Sequence, residues 1–129
     1  MLDPIADMII QLKNGSISRR DIVSLPFSKF KLAIAEVLEK EGFIKSFQKK
    51  GKKAQKTLDM ELLYTDNKSV ITDVKRISKF SKRIYRKASE IKPVRRGAGT
   101  LVISTPKGVL ADRDAKAQNL GGEALFEIW

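Results

Sequence analysis

Leu101-Val102-Ile103-Ser104-Thr105-Pro106-Lys107-Gly108-Val109-Leu110 consists of two apolar runs broken by a polar bend. Three consecutive aliphatic residues, two of them β-branched, read as a buried strand, and Val109-Leu110 starts its return. Pro106 and Gly108 supply the bend. Upstream, Gly97-Ala98-Gly99 is a flexible corner, and Pro93 holds any helix around Glu90 to a turn or two. Before it, Lys82-Arg83-Ile84-Tyr85-Arg86-Lys87 is a short extended stretch. Downstream, Asp112 caps a short helix over Arg113–Asn119, which Gly121-Gly122 ends, and Ala124, Phe126 and Ile128 alternate along a closing strand. This half is mostly β.

The preceding half mixes helix and strand. Asp3-Pro4 is an N-cap followed by proline at the first helical position, and Ile5, Met8, Ile9 and Leu12 form one apolar stripe that Asn14-Gly15 stops. Ile22–Leu25 is a strand closed by Pro26. Ser28 caps a second helix with Phe30, Ala33, Ile34, Val37 and Leu38 on its apolar face and Gly42 at its end. Phe43–Phe47 is a further strand. Leu58, Met60, Leu62 and Tyr64 alternate with polar residues up to the turn Asp66-Asn67-Lys68, after which Val70, Thr72 and Val74 restart the alternation as a returning strand. The expected fold class is α+β with two small lobes. An N-terminal α-β-α-β-β lobe, residues 1–77, lays two helices on a three-stranded sheet; a mostly β lobe with a short helix occupies 78–129.

The chain has 129 residues, of which 42% are hydrophobic, enough to build a core. It has no Cys and no His, which removes thiolate and imidazole chemistry and the usual metal ligands. Catalysis would have to run on carboxylates, lysines or a Ser–Lys pair, so an enzyme is not expected, nor a cofactor. No run of about 18 apolar residues is present, and the start MLDPIADMII carries acids where a secretory signal needs positive charge. A cytoplasmic protein, monomeric when free and without a membrane partner, is the expectation.

Formal charge is +11, and it is concentrated. Lys75–Arg96 holds ten cations against the single acid Glu90, whereas the rest of the chain holds 16 cations against 14 acids. Such a stretch repels itself, and a polyanion is the commonest reason to keep one. A second run, Lys45–Lys56, has six lysines and reads more simply as a solvated loop.

Within this frame, Ser104, Thr105, Lys107 and Gly108 combine hydroxyls that donate and accept, a cation for phosphate and a residue that permits close backbone approach. A plain polar turn explains the same spacing. Tyr85 among Arg83, Arg86 and Lys87 suits base stacking with the backbone held alongside; a packed ring with a surface hydroxyl is the alternative. Ser28, Lys29 and Lys31 stand at a helix start that favours phosphate, or that is merely solvated. A Ser104–Lys107 hydrolase would need a dry cleft. The paired acids Asp3/Asp7 and Asp112/Asp114 sit in first helical turns, where the dipole explains them.

Asp3-Pro4-Ile5-Ala6-Asp7-Met8, Pro26 with Ser28-Lys29-Phe30-Lys31, Glu41-Gly42-Phe43-Ile44, Ser104–Val109, Asp112 and Gly121-Gly122-Glu123 occur in this order. With these motifs the chain resembles, from end to end, the S-eight family of small-subunit ribosomal proteins, bacterial type. The resemblance implies a two-lobe α+β protein that binds the central domain of 16S-type ribosomal RNA and helps assemble the platform. It also implies repression of its own operon messenger in many bacteria, and the S-five and S-twelve proteins as neighbours. It assigns RNA contacts to Ser104, Thr105, Lys107, Gly108 and Tyr85 in the second lobe, with Glu123 in a matching motif, and to Ser28, Lys29 and Lys31 in the first. Pro106 departs from the family turn, which has a third hydroxyl there, and Lys79-Phe80-Ser81 replaces its Arg-Pro-Gly. A general RNA chaperone without a specific ribosomal site is the rival expectation.

Overall fold

In the computed structural model, which describes residues 3–129, the first helix α1 spans Pro4–Ile17 and buries Ile5, Met8, Ile9 and Leu12. It runs past the expected stop at Asn14-Gly15. Gly15 lies inside the helix because a Cβ there would stand 2.7 Å from Val23 Cγ2 and 3.2 Å from Leu62 Cδ1. The true end comes at Arg19, in the left-handed region (φ 57), where the Arg20 N–H donates back to the Gly15 carbonyl at 2.9 Å.

Strand β1 (Ile22–Pro26) buries Val23 and Leu25. Ser28 then caps α2 (Lys29–Lys40), its Oγ accepting the Lys31 N–H at 3.1 Å, and Gly42 at φ +83 ends the helix. The buried face is Ile34, Ala35, Val37 and Leu38. Phe30, expected on that face, is exposed instead. Strands β2 (Ile44–Lys50) and β3 (Thr57–Leu62) complete an antiparallel sheet ordered β1-β3-β2. β2 therefore extends into the lysine run: Lys49 lies over the Phe27 ring at 4.5 Å and Lys50 pairs with Asp59 at 3.8 Å. Val23 faces Met60 and Leu25 faces Leu58 across the pair, so one face is apolar and takes both helices.

The hairpin read from the alternation is shorter than expected. Tyr64–Thr65 (β4) and Lys68–Ser69 (β5) pair around Asp66 and Asn67, both left-handed. The returning strand over Val70–Val74 is absent from this sheet. Val74 instead opens β6 (Val74–Arg76), which pairs with the C-terminal strand. The contacts accordingly divide the chain between Thr72 and Asp73, before the boundary expected after Ile77.

The second unit, Asp73–Trp129 together with Asp3, continues with β7 (Tyr85–Arg86), β8 (Thr100–Thr105), β9 (Gly108–Ala111), helix α3 (Asp112–Ala117) and β10 (Gly122–Ile128). The sheet is antiparallel in the order β6-β10-β8-β9, with β7 pairing the start of β10 beyond β6. Ile91, Val94, Leu101, Ile103, Ala115 and Ala124 form a buried core. A register shift between Ala124 and Phe126 interrupts the expected alternation, and Leu125 is buried as well.

Two features hold the working end of this unit. A Cβ on Gly122 would stand 2.0 Å from the Ser104 carbonyl oxygen, and one on Gly121 2.5 Å from that of Arg86, so this pair admits the neighbouring backbones rather than merely ending a helix. Ser78 is fully buried; its hydroxyl donates to Glu123 Oε2 at 2.7 Å and accepts the Ile84 N–H at 2.9 Å, closing the loop that bears Lys79–Arg83. Gly122→Ala is expected to destabilise this unit by about 1–3 kcal/mol through overpacking against backbone. Ser78→Ala should cost about 1–3 kcal/mol by stranding the Ile84 N–H and removing one of the two donors to Glu123 Oε2. Each should appear as a lowered denaturant midpoint read by the fluorescence of Trp129, the chain's single tryptophan, which lies in this unit.

Candidate nucleic-acid interface

In a sheet, residues directly opposite one another send side chains to the same face. Glu123 is opposite Tyr85 on one side and opposite Ser104 on the other, and Ser104 is opposite Val109. Tyr85, Glu123, Ser104 and Val109 therefore form one row across four strands, with the 104–108 bend at its end. Ile103, Leu110 and Ala124, one position along, face the core side. Tyr85 is 66% exposed, so its ring is not packed away.

The bend is shaped by Thr105. Its hydroxyl donates to the Gly108 carbonyl at 2.7 Å and accepts the Lys107 N–H at 3.1 Å, which leaves Ser104 as the hydroxyl outside that network. Gly108 is left-handed (φ +108) while Pro106 and Lys107 are not, the pattern of a turn closed by a left-handed residue. Pro106, Lys107 and Gly108 are exposed at the tip. Lys107 thus stands in solvent, not in the dry cleft a Ser–Lys hydrolase needs.

Cations surround the row. Arg83 donates to Glu123 Oε2 at 3.0 Å and its guanidinium lies 5.1 Å from the Phe80 ring centre. Glu123 is therefore the anchor that, with Ser78, orients Arg83. Arg86 alternates to the opposite face from Tyr85 and is half-buried, while Lys87 is exposed and its backbone N–H donates to Glu90 Oε1 at 2.8 Å. An open groove of about 540 Å³ runs beside Tyr85, walled by Arg86, Lys87, Asn119 and Gly121. Arg76, counted in the cationic stretch, is spent internally on Asp3 at 3.0 Å and on the Leu125 carbonyl.

The first unit carries the remaining expected residues. The Ser28 hydroxyl is used by the helix cap. Lys31 is only 8% exposed and its Nζ donates to the Pro26 carbonyl at 3.1 Å. Lys29 points to solvent, beside exposed Phe30. Sequence inspection passes over Ser78 and Phe80; a serine and a lone aromatic inside a basic run have no periodicity to mark them. Among the described residues no group of three or more acids gathers as a metal site.

Comparison with known proteins meets this geometry from another side. The family model described as Ribosomal protein S8 matches residues 3–129. A small ribosomal subunit protein uS8 of Ruthia magnifica subsp. Calyptogena magnifica is 46% identical over 129 residues, 100% of this chain and 98% of its own. The protein of that name from Lachnoclostridium phytofermentans is 47% identical over 131 residues, covering 100% and 98%. That from Roseiflexus castenholzii is 46% identical over 128 residues, covering 98% and 97%. A match of this extent, with relatives alike from end to end, means that the chain belongs to the ribosomal protein S8 family, structural and non-enzymatic constituents of the small ribosomal subunit.

Proposed function

We propose that the chain binds the central domain of 16S-type ribosomal RNA through the row Tyr85–Glu123–Ser104 and the bend beside it, as a primary binder in platform assembly. The observation that carries this is the shared face: one exposed ring, one hydroxyl outside the turn's own network and the cations Arg83, Lys87 and Lys107 around a single sheet end. A ring with cations alongside stacks an unpaired base while phosphates are held, and the hydroxyl supplies a donor and an acceptor for a base edge or a ribose. Thr105 and Gly108 act by fixing the bend, Glu123 by aiming Arg83, and Arg86 from the groove side. In the first unit, Lys29 is the residue best placed for an added backbone contact; Ser28 and Lys31 shape the helix start that presents it.

The general-chaperone alternative shares the charge but not the need for a shaped row. Repression of the operon messenger would use the same surface on an RNA folded alike. The S-five and S-twelve proteins are proposed as neighbours, in a bacterial-type cytoplasmic ribosome, on the family resemblance alone.

With about six to ten phosphates neutralised, affinity for a central-domain fragment should fall by roughly 10³–10⁵ between 50 and 200 mM salt in filter binding. Arg83→Ala should weaken cognate and scrambled RNA alike and reduce the salt slope by about 1. Tyr85→Ala should cost the cognate fragment about 1–3 kcal/mol, the worth of one stacked base, and leave the scrambled hairpin nearly unchanged. Equal affinity of the unaltered protein for both RNAs would instead establish the chaperone.

A further inference from the structure

Among the described residues of the second unit, two large apolar side chains stand exposed: Tyr85, and Phe80 at 42%. The row uses the first and leaves the second without a task. A lone apolar residue at a surface is ordinary, but Phe80 is held in place. The Lys79 N–H donates to the Lys82 carbonyl at 2.9 Å and the Lys82 N–H to the Lys79 carbonyl at 3.0 Å, so Phe80 and Ser81 form a two-residue tip. The base of the tip is pinned to β10. The Ser78 N–H donates to the Ala124 carbonyl at 3.1 Å, and the Ile84 carbonyl accepts the Ala124 N–H at 2.9 Å.

These bonds set the ring beside the row. β6 and β7 both pair with β10 on the edge opposite β8, and the tip projects from between them, on the Tyr85 side of Glu123 and away from Ser104. Ile84 packs against the core, so Arg83 and Tyr85, on either side of it, share the outer face. Arg83 links the two rings. It donates to Glu123 Oε2 at 3.0 Å, opposite Tyr85, and its guanidinium lies 5.1 Å from the Phe80 ring centre. A guanidinium covers one face of a ring at most, and this one has a single N–H on Glu123 out of five donors. A stacking surface and donors for phosphate are thereby left side by side.

The chemistry around the ring selects its occupant. Segment 79–83 carries three exposed cations, Lys79, Lys82 and Arg83, and no acid. A protein partner would have to bury those charges around an apolar contact, and interface cores are depleted of charged residues, lysine among them. A nucleic-acid strand meets both demands at once, with a flat base for the ring and phosphates for the cations. We propose that Phe80 is a second base-stacking ring. The face then takes two unpaired bases of one RNA strand, one on Tyr85 and one on Phe80, with the strand's phosphates on Arg83, Lys79 and Lys82. This inference rests on the RNA-binding function proposed above and extends it from one stacked base to two.

The test is filter binding of the full-length protein to the central-domain fragment and to the scrambled hairpin. Phe80→Ala is expected to lower affinity for the fragment about 5–150-fold, the worth of one stacked base, and to leave the hairpin nearly unchanged. Phe80→Leu keeps apolar bulk at the tip and removes the ring, so it should lose as much. Phe80→Trp should bind at least as tightly as the unaltered protein. The slope of affinity against salt should stay the same in all three, since no cation is lost. A slope reduced by about 1 in Phe80→Ala would show the ring acting only through Arg83 and overturn the proposal. Full affinity in Phe80→Leu would do so too, by showing that bulk suffices without a ring. Full affinity in Phe80→Ala would overturn it as well and leave the ring to a protein neighbour. Tyr85→Ala, measured in parallel, separates the two readings. A loss there with none in Phe80→Ala sinks this inference alone, whereas equal affinity of the unaltered protein for both RNAs sinks the function beneath it.

Discussion

Everything on the proposed binding face depends on how closely three backbones approach at the start of β10. Gly121 and Gly122 have no Cβ, and the Arg86 and Ser104 carbonyls occupy the space that one would need. Only with that approach can Glu123 lie opposite Tyr85 on one side and Ser104 on the other. A bulkier residue would push β7 or β8 away and break the row into two unrelated surfaces. Backbone contact therefore comes before side-chain chemistry: the ring and the hydroxyl share a face because two glycines let their strands meet on one partner.

The second constraint is electrostatic. A stretch with ten cations cannot hold its loop by packing alone, since like charges resist being brought together. The fold places an acid from another strand, Glu123, under the loop and ties it with the buried Ser78 hydroxyl, which also takes the Ile84 N–H. Arg83 then docks on the same carboxylate oxygen and over Phe80. Half-exposed ion pairs are worth little as stability, about 0–1 kcal/mol, so the gain lies in orientation. Arg76 shows the other use of such charge: bound to Asp3 and to a main-chain carbonyl, it is structural and contributes nothing to the outer field.

Much of this is legible in the sequence, and the failures share a cause. Local signals are readable because their physics is local: the Ser28 cap, the Gly42 stop, the alternating β3 and the bend after Thr105 each depend on a few adjacent residues. Glycine misleads where its role is contact rather than conformation. Gly15 looks like a terminator and is a seat for Val23, and Gly121-Gly122 looks like a helix end and is a strand contact. Alternation misleads at Val74, because period two says that a residue belongs to a strand and not which strand it joins. Lys31 reads as a surface cation; its long stem is buried and its amine turns back to Pro26. Candidate site residues can be proposed from the sequence, but not which of their groups the fold already uses, since whether a hydroxyl is spent or free depends on partners brought from elsewhere.

That division bears on Pro106. A third hydroxyl at this point would be one more group for an RNA to meet, and its loss reads at first as a loss of recognition. The geometry makes the substitution mild. Proline suits the first corner of a turn, where φ near −65° is needed and no N–H is spent within the ladder. Thr105 already holds the bend through both of its hydrogen bonds, and Gly108 supplies the left-handed step that returns the chain to β9. Pro106 stiffens a turn whose shape is set by its neighbours, leaving Ser104, on the row, as the hydroxyl positioned toward the face of Tyr85. In the proposed reading, recognition therefore rests less on the tip of the hairpin than on its base, where the sheet itself fixes the spacing between ring and hydroxyl.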